Sequence, residues 1–276
     1  MSAVYTPLMT MDLSERKIYM EEQGDLVLSE LLKDIGDPTN ELHDKIVFRL
    51  FVELLAHQMW TEQQLKKLAT SLPTSEYLFA SIGATGDDTV FRRSFSALWL
   101  AHILQYDRQF GLLTEQEAVQ VMEAASSYIA KERDVRGFID GKGWAHSMAH
   151  GADLAVAIVT HHHFQQKFAP VILQSVKAAF WKGTVYIDDE EERFAQIIEQ
   201  LLAINFPEEV LIEWVEQVFD KLDAHLNEIG YTPAFFHART NTMRFMRTLY
   251  FTAKFSNKAK QLQGVTSIFI SKWAKL

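Results

Sequence analysis

The 276-residue chain contains no cysteine. Disulfides, thiolate metal sites, iron–sulfur clusters and cysteine nucleophiles are therefore excluded, and the absence fits a reducing cytoplasm. Only six prolines occur, and alternating apolar–polar runs are few, so a sheet-based fold has little support. No run approaches the roughly eighteen apolar residues that cross a bilayer. The opening MSAVYTPLMTMDLSERK lacks the basic start and unbroken apolar core of a signal peptide. These absences predict a cytoplasmic protein with no membrane partner. A glycine-rich phosphate loop, a dinucleotide fingerprint and a G-x-S-x-G elbow are also missing. Acid is missing from one region only. From Ile229 onward there are eight Lys and Arg and no Asp or Glu, which leaves −17 on the first 228 residues of a chain whose net charge is −9. A mostly acidic body argues against broad electrostatic binding to nucleic acid. The basic end either docks an anionic partner or pairs with the acidic body.

What the chain does have is apolar residues recurring at spacings of three and four, within a composition that is 48% hydrophobic and 23% charged. That pattern predicts an all-α protein, one domain over residues 1–276, of about a dozen helices. Helices are expected within Leu13–Glu22, Leu26–Lys33 and Glu41–Trp60. Thr61-Glu-Gln-Gln and Thr114-Glu-Gln-Glu are capping boxes that start two more. Between them an apolar helix runs from Thr89 to about Arg108. Further helices are expected from about Trp144 to His161 and over Phe164–Lys182, the latter kinked near Pro170. Asp188-Asp-Glu-Glu-Glu places negative charge on a helix N-terminus. Pro207–Ile229 stops at Gly230, and Thr232-Pro233 opens the next helix, with a last one ending near Trp273. Val47-Phe-Arg…Leu55-Ala-His57 resembles Val90-Phe-Arg…Leu100-Ala-His102 at offsets of 43 to 45 residues. Such offsets suit helix-pair repeats, so the expected architecture is a HEAT- or armadillo-like α-solenoid, with an irregular helical domain as the alternative.

One interval stands apart. Arg133 to Asp153 reads R-D-V-R-G-F-I-D-G-K-G-W-A-H-S-M-A-H-G-A-D and holds two arginines, three aspartates, a lysine, two histidines, a tryptophan and four glycines. On a helix beginning near Trp144, the residues His146, His150 and Asp153 fall within about 60° of one another on one face. Two histidines and a carboxylate form the ligand set of some zinc and non-haem iron sites. Asp134 or Asp140 is available as a further ligand or as an acceptor for a ring N–H. Position i+7 lies some 10 Å along the axis from i, however, so the full triad needs a break in the helix. The structural alternative is a buried polar network in which Arg133, Arg136 and Lys142 pair with Asp134 and Asp140. Outside this interval, His161-His-His163 reads as a solvated helix end, or as a metal tract. His57 and His102 read as repeat packing. Arg244, Arg247, Lys254 and Lys258 share one helical face with Phe251, which makes an anion-binding surface or a solvated outer face.

At D-V-R-G-F-I-D-G-K-G-W-A-H-S-M-A-H-G-A-D-L the chain resembles an uncharacterised bacterial family catalogued as domain of unknown function 2785. The resemblance covers most of the chain and implies a helical fold, and it brings no reaction, cofactor or partner. The leading expectation is a binding protein whose groove holds a peptide, a protein segment or a small polar ligand. Its lining would be Asp134, Arg136, Asp140, Lys142, Trp144, His146, His150 and Asp153. The second is a hydrolase-like, metal-dependent enzyme using His146, His150 and Asp153 around a divalent ion. The third is anion or nucleic-acid binding through Arg244, Arg247, Lys254 and Lys258.

Overall fold

Capping chemistry sets where the helices begin. In the computed structural model, which describes residues 2–274, Asp12 accepts the amides of Ser14 and Glu15 while Glu15 reaches back to the Asp12 amide, starting α1 (Leu13–Asp34). The helix is continuous where two were expected. Gly24 lies in its middle, against the Gln64 side chain, whose amide donates to Asp25 at 2.8 Å. A glycine in a helix is tolerated when something packs closely on it. The expected helix over Glu41–Trp60 is instead a 3₁₀ turn at Thr39–Glu41, a π-helical stretch at His43–Phe48 and a short α2 (Arg49–Ala56). The two capping boxes form as read. They start α3 (Glu62–Ser71) and α5 (Glu115–Ala125), on either side of α4 (Thr89–Phe110).

After α6 (Tyr128–Lys131) comes a feature the helical reading passed over, a two-strand antiparallel hairpin. It pairs β1 (Phe138–Ile139) with β2 (Gly143–Trp144). Then follow α7 (Ser147–Thr160), α8 (Phe168–Ala179), α9 (Glu190–Ala203), α10 (Glu208–Ile229), α11 (Pro233–Ser256) and α12 (Lys260–Trp273). Pro170 kinks nothing. It sits in the first turn of α8, where a missing amide leaves no intrahelical bond unmade. Gly230 ends α10 at φ 66°, and Thr232 caps α11 as expected.

The fold is all-α. Most buried apolar residues from Tyr5 to Trp273 belong to one connected core, and Val90, Phe91 and Ala145 form a small separate cluster with Ile139 packed against it. Helix α4 packs along α7, α7 along α9 and α9 along α11, while α6 meets α8 and α10 meets both α11 and α12. The repeat match does not correspond to a repeated unit. Val47-Phe-Arg sits in the π-helical stretch and the start of α2, whereas Val90-Phe-Arg lies within α4. His57 is exposed, while His102 is half-buried against Phe48. Small residues on α7 bring its neighbours close, above all Gly151. A Cβ there would stand 2.9 Å from Ile129 and 3.1 Å from Tyr128. No helix among the described residues is long and apolar enough to cross a membrane.

Candidate functional site

A long-range ion pair at Glu132 and a local one at Asp134, itself tied to the loop before α4, hold the central interval in place. Glu132 is fully buried and grips Arg93 through two bonds, of 2.5 and 3.0 Å, while accepting the amides of Arg133 and Asp134. The same guanidinium donates to the carbonyls of Ala80 and Ala84, which fastens the loop before α4 to this segment. Asp134 is 2% exposed and is forked by Arg136 at 2.6 and 2.8 Å, with the Gly86 amide at 2.9 Å. Burial raises the Asp134 carboxyl, but Arg136 and the two amides outweigh it and hold the pKa below the ordinary value.

The structure separates the expected site residues. Lys142 pairs with Asp88 at 2.6 Å, and Asp140 is exposed at the hairpin turn with no ion pair among the described residues. Asp153 is held by Arg193 through two bonds of 2.6 and 2.8 Å. Burial raises its pKa and Arg193 partly offsets that. His150 sits beneath the site against Ser94, whose hydroxyl donates to the Ala145 carbonyl. That commits the hydroxyl's single proton, so the 2.8 Å contact from His150 Nδ1 must be an N–H donated to Ser94. His150 is therefore the Nδ1–H tautomer, and burial pushes its pKa well down. His146, His150 and Asp153 do not gather as three ligands, because Arg193 occupies Asp153.

The reason is local. Helix α7 starts at Ser147, and His146 precedes it in the left-handed region at φ 51°. A non-glycine residue rarely adopts that conformation. It takes the His146 side chain off the α7 face that carries Asp153. The ring stacks on Trp144 at 4.1 Å with 2° between planes, and Trp144 in turn meets Phe138 edge-on. On the other side stand two residues the functional reading of the sequence missed. The connection before α9 passes Asp188, turns through Asp189 at φ 62°, again left-handed, and enters the helix at Glu190. His146, Asp188 and Glu190 place ligand atoms within 4.8 Å of one another. Asp188 reaches this point only because residue 137 is glycine. A Cβ there would lie 1.8 Å from Asp188 Oδ2. The only trace in the sequence was the surplus of acid in Asp188-Asp-Glu-Glu-Glu, which helix-dipole chemistry explained too readily.

The charges in this cluster are unbalanced. Glu190 is 3% exposed, and the Asp188 amide donates to it at 2.9 Å. Neither Glu190 nor Asp188 has a cationic partner among the described residues. Burial raises Glu190, its backbone amide bonds lower it, and the charges of Asp188 and Glu191 raise it further. Burial lowers the His146 pKa from its ordinary value, with the charge of Asp188 opposing, and its Nδ1 is buried without a hydrogen-bond partner. Beside the cluster lies a cleft of about 200 Å³ lined by Arg136, Gly137, Phe138, Tyr186, Asp188 and Glu190.

The basic face at the C-terminus is not continuous. Arg244 donates to the Tyr186 carbonyl at 2.5 Å, while Arg247 and Lys254 are exposed on α11. Lys258 falls beyond the helix, after Asn257 turns the chain at φ 55°. His161, expected as a solvated cap, is 3% exposed and bonds Asp107 at 2.8 Å. That buried bond accounts for the first residue of the histidine tract without a metal.

Residues 78–251 match the family model described as "Protein of unknown function (DUF2785)", and the chain belongs to that family. Neither curated proteins nor solved structures give a significant match.

Proposed function

We propose that this DUF2785 protein binds a divalent metal ion through His146, Asp188 and Glu190, and uses it to hold a small polar ligand in the adjoining cleft. The observation that carries the reading is a His146 ring, its Nδ1 buried without a hydrogen-bond partner, that places a ligand atom within 4.8 Å of two carboxylates, neither of them in an ion pair among the described residues. Buried acids are ordinarily paired or bound to metal, because an isolated charge costs several kcal/mol to bury. A neutral imidazole with two carboxylates suits zinc, manganese or iron(II). The cleft, at about 200 Å³, is smaller than the roughly 300–1,000 Å³ of sites that enclose a drug-sized molecule. It fits a compact polar group or one side chain of a peptide, oriented by Arg136 and lying against Phe138. The ligand-binding reading from sequence is kept, but its centre moves from His150 and Asp153 to Asp188 and Glu190.

A metal-dependent hydrolase is the second reading, favoured by the number of ligands. Three protein ligands leave coordination positions for water and substrate, and bound water is acidified toward neutral pH. Calorimetric titration of chelator-stripped protein with Zn²⁺ and Mn²⁺ tests the shared premise. One equivalent is expected, weakened at least about tenfold in His146→Ala and in Glu190→Gln. Gly137→Ala should do the same without removing a ligand, by driving a methyl group into the Asp188 carboxylate. Stripped protein that takes up neither metal, or variants that bind as wild type does, would overturn the reading.

A further inference from the structure

The connection that supplies Asp188 and Glu190 begins, after α8, with Phe180-Trp181-Lys182-Gly183. There it builds a second concavity, a pocket of about 630 Å³ lined by Arg133, Trp181, Lys182, Lys221 and Thr85 among others, and by no acidic residue. None of its three cations takes part in an ion pair among the described residues. Lys182 Nζ donates to the carbonyls of Ala130, at 3.1 Å, and Glu132. An ammonium has three donors, so one remains. Lys221 Nζ stands 4.2 Å over the Trp181 ring. Lys177, one turn before Trp181 on α8, donates to Gln217 rather than to an acid. Glu132, the carboxylate that acts on Lys182, is already committed to Arg93.

This gathering is costly in the bare protein. Burial lowers Lys182 to about 8, with Glu132 opposing and Arg133 adding to the shift. Burial and the charge of Lys177 lower Lys221 as well. In a chain of net charge −9 with 36 acidic residues, partners of opposite sign are plentiful, yet none lines this pocket. Three cations lining one pocket supply more charge than one carboxylate requires, and the volume exceeds that of a bare phosphate. We propose that the pocket is a binding site for a phosphorylated small molecule, its phosphate held between Arg133, Lys182 and Lys221 and its body lying along the Trp181 wall. The acidic body of the protein disfavours a nucleic-acid polymer as the occupant.

The test is calorimetric titration of the intact chain with inorganic pyrophosphate at pH 7 and low salt. Chelator is kept present so that the His146 cluster plays no part. Saturable binding of one equivalent is expected, weakened at least tenfold in Lys182→Gln and in Lys221→Gln, and unchanged in Arg247→Gln on the exposed face of α11. Lys182 also ties two backbone carbonyls. If its variant fails to fold, exposed Lys221 and Arg133→Gln decide the matter. Wild type that binds no pyrophosphate at millimolar concentration overturns the proposal. So does binding that survives both lysine changes or is lost in Arg247→Gln.

Discussion

Two connections, Arg133–Phe138 and Trp181–Glu190, each contribute to two concavities of opposite charge. At one end stand Asp188 and Glu190 beside His146, where the cleft's one cation, Arg136, is already taken by Asp134; at the other stand Arg133, Lys182 and Lys221, with no acid in the pocket lining. Between them lie Glu132 with Arg93 and Asp134 with Arg136, each paired internally at 3.0 Å or less. The contrast separates two uses of charge. Paired charges in the middle tie loops together and are accounted for by the fold. The unpaired ones at the two ends are not, and a molecule that keeps both within a few residues without letting them neutralise each other has left them for something else.

The largest effect should come from removing what the two ends share. Glu132→Ala strands the buried Arg93 guanidinium and frees the amides of Arg133 and Asp134. Breaking a buried pair in this way costs roughly 3–5 kcal/mol, and each kcal/mol shifts the melting temperature of a chain this size by about 2–4 °C. Both metal and pyrophosphate binding should fall together. Chemical denaturation measures the first, and an undiminished midpoint would mean that the central pair is no scaffold at all.

How much of this was legible follows the same division. Elements set by neighbouring residues were read correctly: the boxes at Thr61 and Thr114, the Gly230 stop and the Thr232 cap each need only a few residues of sequence. The hairpin was missed although Asp140-Gly141 is a turn signal, because two-residue strands carry no periodicity. The left-handed turn at His146 has no signature in residue type, yet it redirects the side chain on which the ligand set depends. Asp188 and Glu190 lie some forty residues from His146, and only the packing of α7 against α9 brings them near. Arg193 claimed Asp153 across a similar distance. The interval was recognisable as a site, but its chemistry required the fold.

A smaller effect distinguishes the acidic end from the paired middle. Burial raises Glu190 above the ordinary value of 4.5, whereas Asp134 is held below its own ordinary value. A raised carboxyl contributes stability that is fully present below the unfolded pKa and lost as pH rises through the folded one. In metal-free protein, Glu190→Gln should therefore melt higher than wild type, with a gap of a few degrees that opens as pH rises above about 4.5. Saturating metal should reverse the order, since it stabilises only the form that binds it. A gap independent of pH would show that Glu190 is not a strained charge.

The smallest effect sits at the residue that seemed from sequence to be a natural partner for the basic side chains of the interval. Asp140 is exposed at the turn of the hairpin, where the Lys142 amide closes onto Ile139 at 2.9 Å and the Lys142 side chain goes to Asp88 instead. A surface carboxylate with nothing to lose contributes within about 0.5 kcal/mol either way. Asp140→Ala should thus leave denaturation midpoint, metal affinity and pyrophosphate affinity unchanged. A substantial loss in any of the three would place Asp140 among the working charges, and would mean that exposure in the free protein is a poor guide to which residues meet the ligand.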